Sequence, residues 1–166
     1  MGTEAQPAGR LAELYVRHAP DALRFATVLT GERALAEDLV QDAFVNLAGR
    51  LAHLRDPGAF EAYLRRTVVN LANSKFRRRR VERSYLEREG RRPGDRGPVA
   101  DPETRDEVWT ALQTLPVKQR AAIALRFYED LPDERIAEVL HCAPATVRSL
   151  VHRGMATLKT QLGDDR

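Results

Sequence analysis

The sequence predicts an all-α protein: two small helical domains joined by a flexible linker, the second a helix-turn-helix. Three observations predict it. Apolar residues recur at three- and four-residue steps through segment after segment, the period of one helical face. No run alternates apolar and polar residues as a half-buried strand would. Between Glu89 and Glu103, Gly90, Pro93, Gly94, Gly97, Pro98 and Pro102 crowd a stretch almost without apolar side chains, the composition of a linker. The boundaries that follow are a bundle over 1–88, a linker over 89–103 and a second domain over 104–166.

The first helix is expected from about Arg10 to Leu29, carried by Leu11, Leu14, Tyr15, Ala22, Phe25, Ala26 and Leu29. Pro20 should interrupt or split it, because proline removes an N–H and clashes with the preceding turn. Thr30-Gly31 ends it. The second helix, Glu32 to Leu51, has a stripe of Leu35, Leu39, Ala43 and Leu47 widened by Val40, Phe44 and Leu51. Its opposite ledge carries Glu37, Asp38, Gln41 and Asp42. That ledge reads either as a solvated face, paired or not with arginines of the chain, or as a docking surface for a cationic partner.

After the short loop from Leu51 to Gly58 comes a basic helix. Asp56 can cap it and Pro57 can open it. Phe60, Leu64, Val68 and Leu71 form its apolar face, and Arg66, Asn70, Asn73, Arg77 and Arg80 a second face, with residues 81–88 as an extension. Arginines neutralise phosphates, and asparagine amides both donate to and accept from base edges. The alternative is a solvated basic helix end, where cations also suit the helix dipole.

The whole chain carries a net charge of +3, but Arg65 to Arg96 holds 12 Lys or Arg against 4 Asp or Glu. Such asymmetry implies an anionic partner for one region and a different partner for another. A single cysteine, Cys142, excludes an intramolecular disulfide. No apolar run reaches membrane-spanning length and Met1 to Arg10 lacks a signal-peptide core, so the expectation is a cytoplasmic protein without membrane insertion. A membrane-surface role for the basic helix competes with its asparagines and with the use of its apolar face in a core.

Four helices are expected in the second domain: Glu103 to Thr114, Val117 to Tyr128, Pro132 to Leu140, and Pro144 to about Leu162. The last two, with the turn His141-Cys142-Ala143 between them, have the layout of a helix-turn-helix. Ile136, Ala137, Leu140, Val147 and Val151 would hold the pair together. The outward residues near the start of the second helix are Ala145, Thr146, Arg148, Ser149, His152 and Arg153. An ordinary helical hairpin is the alternative. His141, Cys142 and His152 match no common zinc spacing, and neither a phosphate-cradling glycine loop nor a nucleophile elbow is present. The expectation is no metal, no cofactor and no enzyme activity.

Two regions resemble one family. Leu-Ala-Glu-Asp-Leu-Val-Gln-Asp-Ala-Phe-Val-Asn-Leu over 35–47 resembles the second conserved region of bacterial sigma-70 family factors. Residues 115–158, from Leu-Pro-Val-Lys-Gln-Arg through Ile-Ala-Glu-Val-Leu and Thr-Val-Arg-Ser, resemble their fourth. The short two-domain form is similar to the extracytoplasmic function (ECF) group, in its actinobacterial style. The resemblance implies promoter recognition and DNA opening as a detachable subunit of RNA polymerase. It implies that Glu37, Asp38, Gln41 and Asp42 bind the clamp helices of the largest core subunit. It implies that the loop with His53, Arg55 and Asp56 captures a flipped minus-10 base, and that Arg65, Arg66, Asn70, Asn73, Lys75 and Arg77 contact the opened strand. The helix-turn-helix would read the minus-35 element and touch the flap of the second-largest subunit. Relatives of the ECF group are commonly held by an anti-sigma factor. A free-standing helix-turn-helix regulator that needs no polymerase is the competing reading. His141 and Ala143 stand where the family often has Gly and Ser, and Leu150 where a basic residue is common, which weakens the expected minus-35 contact.

Overall fold

The computed structural model describes residues 7–90 and 107–163. These form seven α-helices, with a single 3-10 turn at Leu51–His53: α1 Pro7–Thr30, α2 Arg33–Ala48, α3 Pro57–Arg88, α4 Glu107–Thr114, α5 Val117–Phe127, α6 Asp133–Leu140 and α7 Pro144–Gly163. The all-α expectation holds. Most of the linker expected at 89–103, from Arg91 onward, lies outside the described residues.

Helices α1, α2 and α3 pack on one another, and α4 to α7 pack around α7 and α5. The two groups also meet, through α5 and α6 against α3 and α5 against α1. In the first group every expected residue of the α2 stripe is buried. Aromatic rings tie the three helices: Tyr15 meets Phe44 at 4.9 Å, Phe44 meets Phe60 at 6.0 Å, and His18 meets Phe60 at 5.2 Å. In α3, Phe60, Leu64, Val68, Val69 and Ala72 are buried.

Pro20 does not split α1, which runs unbroken through it. Pro20 sits on the exposed side, where water can satisfy the carbonyl that loses its N–H partner, and the buried face of Ala22, Phe25, Ala26 and Leu29 holds the helix onto α2 and α3. Helix α5 ends at Phe127, and the rings of Phe127 and Tyr128 are both exposed.

Two glycines are required by geometry. Gly31 terminates α1 with a positive φ of 72°, and a side chain there would meet Gln113 at 2.9 Å. Gly154 lets α7 cross α5, since a Cβ would come within 2.6 Å of the Ile123 Cδ1.

Candidate nucleic-acid interface

The ledge of α2 is exposed at all four expected positions, Glu37, Asp38, Gln41 and Asp42. Arg33 Nε donates to Glu37 at 3.0 Å. Among the described residues Asp38 and Asp42 take part in no ion pair. An unpaired carboxylate in water keeps its full charge for an incoming cation. Apolar groups adjoin this ledge that the sequence reading missed. Val16 is 77% exposed and Val45 72% exposed, and a cavity of about 510 Å³ lined by Tyr15, Val16, Pro20, Val40, Glu37 and Gln41 runs along the α1–α2 groove. The mixture of exposed valine and carboxylate is typical of a surface that a partner covers.

The loop before α3 is fixed from two sides. Leu51 and Leu54 are buried, and Arg10 of α1 donates to the Leu51 carbonyl at 2.9 Å and to the Leu54 carbonyl at 2.6 Å. Asp56 Oδ1 accepts from the Gly58 N–H at 3.0 Å, capping α3 as expected. His53 and Arg55 remain exposed. A cavity of about 690 Å³ beside the loop is lined by Arg10, Arg17, Leu54, Arg55, Pro57 and Phe60. It joins three arginines and Glu13 to an apolar floor.

The basic helix divides into two parts. Asn70, Lys75 and Arg77 are exposed and Asn73 is half-buried. Arg65 and Arg66 are instead engaged by the second helical group. Arg65 is only 16% exposed, with its Nε 2.5 Å from Glu129 Oε2 and its Nη1 3.6 Å from Glu61. The first contact is a close ion pair lying off the line of a hydrogen bond. Burial pushes the Glu129 carboxyl above the usual carboxylate range, against the opposing pull of Arg65. Arg66 donates Nε to the Glu138 carbonyl at 3.2 Å and its Nη2 to the same oxygen, and its guanidinium lies 4.9 Å over the Tyr63 ring.

A further cation, Arg120, is 4% exposed and lies in the core. It donates to the carbonyls of Leu112, at 2.9 Å, Gln113, at 2.8 Å, and Leu115, at 2.7 Å, and to that of Leu29 in α1. Burial lowers its pKa to about 10, so it stays charged at neutral pH. With Gln113, which donates to the Val28 carbonyl at 2.9 Å, it supplies donors to the open C-terminal end of α1. Its signal in the sequence was an arginine three residues after Val117 and three before Ile123, on an apolar stripe where a cation needs partners.

The helix-turn-helix expected at the C-terminus is present. Ile136, Ala137, Leu140, Val147 and Val151 are buried, while Ala145, Thr146, Arg148, Ser149, His152 and Arg153 are exposed. His141 in the turn takes the left-handed conformation with φ 53°, the place where glycine is easier. The Cys142 N–H donates to the Ala137 carbonyl at 3.1 Å, and Cys142 itself is half-buried. Arg148 Nη1 lies 3.6 Å from Asp133, which Arg126 also engages. Leu150 is half-buried against the core, not solvated.

The structure brings residues from the two expected DNA surfaces to one groove. A cavity of about 750 Å³ between α3, α5 and α7 is lined by Asn73, Phe76, Arg80, Arg83, Lys118 and Arg153, among others. Among the described residues no group of three or more His, Cys, Asp or Glu could hold a metal ion, and no helix is long and apolar enough to cross a membrane.

These features together define an all-helical protein with one basic helix and one helix-turn-helix. Comparison with known proteins narrows it. The sigma-70 region 2 family model matches residues 14–82, and the sigma-70 region 4 model matches 105–158. The chain is 33% identical over 151 residues to the RNA polymerase sigma-E factor of Streptomyces coelicolor, covering 90% of this chain and 85% of that protein. It is 34% identical over 160 residues to the ECF RNA polymerase sigma factor SigE of Mycolicibacterium smegmatis, covering 90% of this chain and 60% of the relative. Among solved structures, the sigma factor RpoE from Bartonella quintana, in complex with the anti-sigma factor NepR, superposes with a TM-score of 0.70 at 25% identity, covering 95% of this chain and 99% of that one. The chain belongs to the sigma-70 family of RNA polymerase sigma factors, in its ECF group. Sigma factors are transcription-initiation factors, which sets aside the reading as a free-standing regulator.

Proposed function

We propose that this chain directs core RNA polymerase to specific promoters and helps open the DNA, with the roles divided along the sequence. Residues 1–88 form the part that docks on the core enzyme and reads the minus-10 element. Residues 104–166 form the part that reads the minus-35 element, and 89–103 link them. Asp38, Gln41 and Asp42, with Glu37, meet the clamp helices of the largest core subunit. The observation that carries this reading is that Asp38 and Asp42 are exposed and unpaired among the described residues on a helix inside the region 2 match. Asp38 and Asp42 spend no charge on an ion pair among the described residues, so it is available to a basic partner.

The loop at His53, Arg55 and Asp56 accepts an unstacked minus-10 base, in the cavity that Arg10 braces. Asp56 acts there chiefly through the cap that sets the start of α3. Asn70, Asn73, Lys75 and Arg77 then follow the opened strand, with Arg65 and Arg66 joining them once they are released from the second helical group. Flipping a base costs a few kcal/mol, which stacking and phosphate contacts offset. Thr146, Arg148, Ser149, His152 and Arg153, around Ala145, face the minus-35 duplex, and the flap of the second-largest subunit touches the same part. The role requires no catalysis and no cofactor by the chain itself, and it places the protein in the cytoplasm with polymerase. An anti-sigma factor is a further expected partner, by analogy with the Bartonella complex.

Reconstitution tests the reading. Core enzyme from an actinobacterium, mixed with the chain and a promoter library, should transcribe a selected set of promoters. Transcription indistinguishable from core alone would remove it.

A further inference from the structure

The groove between α3, α5 and α7 holds positive charge that contacts within the chain leave largely unbalanced. Arg79, Arg80 and Arg83 line it from the first helical group, and Lys118 and Arg153 from the second. Arg120 also lines it, but its N–H groups are spent on four carbonyls. Glu32 is the one carboxylate among the lining residues, and it lies 3.5 Å from Arg79. Arg80, Arg83, Lys118 and Arg153 are exposed and join no ion pair among the described residues. Cations gathered around one cleft repel one another, and a cleft walled by one sign of charge concentrates its field. A compact anion with several charges relieves that repulsion, whereas a single carboxylate neutralises only part of it.

The groove offers more than charge. Its volume, about 750 Å³, is that of a small-ligand site. Phe76, half-buried in α3, lines it together with Pro116 and Leu150, and the Arg79 guanidinium lies 5.8 Å over the Phe76 ring. Aromatic rings and guanidinium planes are the surfaces on which nucleobases stack. Asn73 and Gln119, both half-buried, bring side-chain amides to the same groove, and such amides donate to and accept from a base edge. Neither amide is hydrogen-bonded among the described residues.

From this combination we infer that the groove is a binding site for a nucleoside polyphosphate. Its phosphates lie among Arg80, Arg83, Lys118 and Arg153, and its base rests against Phe76. One wall comes from α3 and the other from α5 and α7, so the bound anion bridges the two helical groups and stabilises the folded chain according to its occupancy. Asn73 and Arg153 are also assigned to promoter contact, so a nucleotide in the groove competes with promoter DNA at those residues. That competition rests on the promoter reading; the binding itself does not.

The test uses the full chain without polymerase or DNA, so its failure is distinct from failure of the promoter reading. Isothermal titration calorimetry at constant ionic strength, without magnesium, reads the affinities for ATP, GTP, tripolyphosphate and adenosine. The tighter of the two nucleotides should bind with a Kd below about 1 mM. Tripolyphosphate should bind at least ~5-fold more weakly, because stacking of the base is lost, and adenosine at least ~10-fold more weakly, because the charge is lost. Arg80→Glu and Lys118→Glu, one from each wall, should each weaken nucleotide binding about 10-fold or more. Arg78→Glu makes the same charge change in the same arginine run, at an exposed position outside the groove. It should stay within about 2-fold of the wild type, since water and salt screen it from the site. Equal losses in all three variants would show attraction to net charge alone and would overturn the inference. Nucleotide binding no tighter than tripolyphosphate would overturn it as well. So would a loss in Arg80→Glu without one in Lys118→Glu, which would confine the anion to α3. Absence of binding by the wild-type chain to either nucleotide would remove the site altogether.

Discussion

Arg120→Met removes a core guanidinium and keeps most of its length. Four hydrogen bonds disappear, to the carbonyls of Leu112, Gln113, Leu115 and Leu29. Bonds from a charged donor contribute about 1.5–3 kcal/mol each, a gross loss of roughly 6–12 kcal/mol. Two effects reduce it. Methionine escapes the desolvation that lowers the arginine pKa to about 10, and carbonyls at the helix ends regain water as the structure relaxes. Loss of the guanidinium 5.6 Å over Phe76 adds about 0.5–1 kcal/mol back. The net expectation is a loss of about 3–5 kcal/mol, the range for breaking one side of a buried polar network. Urea denaturation followed by circular dichroism reads it, with tryptophan fluorescence from Trp109 as a second probe of the same region. Because one bond crosses to α1, the two probes should also separate in the variant where they coincide in the wild type. A loss under about 1 kcal/mol with coincident transitions would refute the view that Arg120 pins the two helical groups.

Other outcomes follow from single sites. Burial lowers the His18 pKa, so the folded chain resists a proton that the unfolded chain accepts near its ordinary value of 6.5. Its share of stability is complete above that pH and falls away as pH drops through it; His18→Gln should flatten this part of a pH series of denaturation midpoints, and an unchanged slope would argue against it. Gly154→Ala drives a methyl toward Ile123 Cδ1 and should cost about 1 kcal/mol despite its better helix propensity. Adding Ile123→Val, which removes that carbon, should recover most of the loss, measured by the same denaturation. Asn70→Ala with Asn73→Ala should change which minus-10 sequences are transcribed more than it changes overall affinity. Equal losses on all promoters would argue against base reading by these amides.

Local periodicity made most of the fold legible. The α2 stripe of Leu35, Leu39, Ala43 and Leu47 is buried as the spacing requires, and Asp56-Pro57 opens α3 with the cap that those residue types provide. The helix-turn-helix was legible for the same reason, since the i, i+3 and i+4 rule fixes which residues of α6 and α7 face inward. Pro20 misled because a propensity describes an isolated helix, and tertiary packing of Phe25 and Leu29 outweighed it. What the sequence could not show is which surfaces meet across long separations. Arg65 and Glu129 are 64 positions apart, and nothing in either segment specifies the other. Arg65 and Arg66 looked identical in kind to Arg77, yet the fold places the first two against the second helical group and leaves the last in solvent. Val16 was equally hidden, because a lone exposed valine on a helix carries no pattern until the neighbouring helix sets it in one groove with Glu37 and Gln41.

The central claim is that the acidic ledge of α2 is the surface by which this sigma factor joins core polymerase. The most direct measurement is the dissociation constant for core enzyme with wild-type chain, Asp38→Arg, Asp42→Arg and, as a control, Glu134→Arg. Reversing a carboxylate that faces a basic partner should weaken binding by about 10-fold or more, since one partner of an interfacial charge pair contributes about 1.5 kcal/mol or above. The account predicts that loss for the two aspartates and none for Glu134→Arg, with all variants equally folded by circular dichroism. Wild-type affinity in both aspartate variants would contradict it.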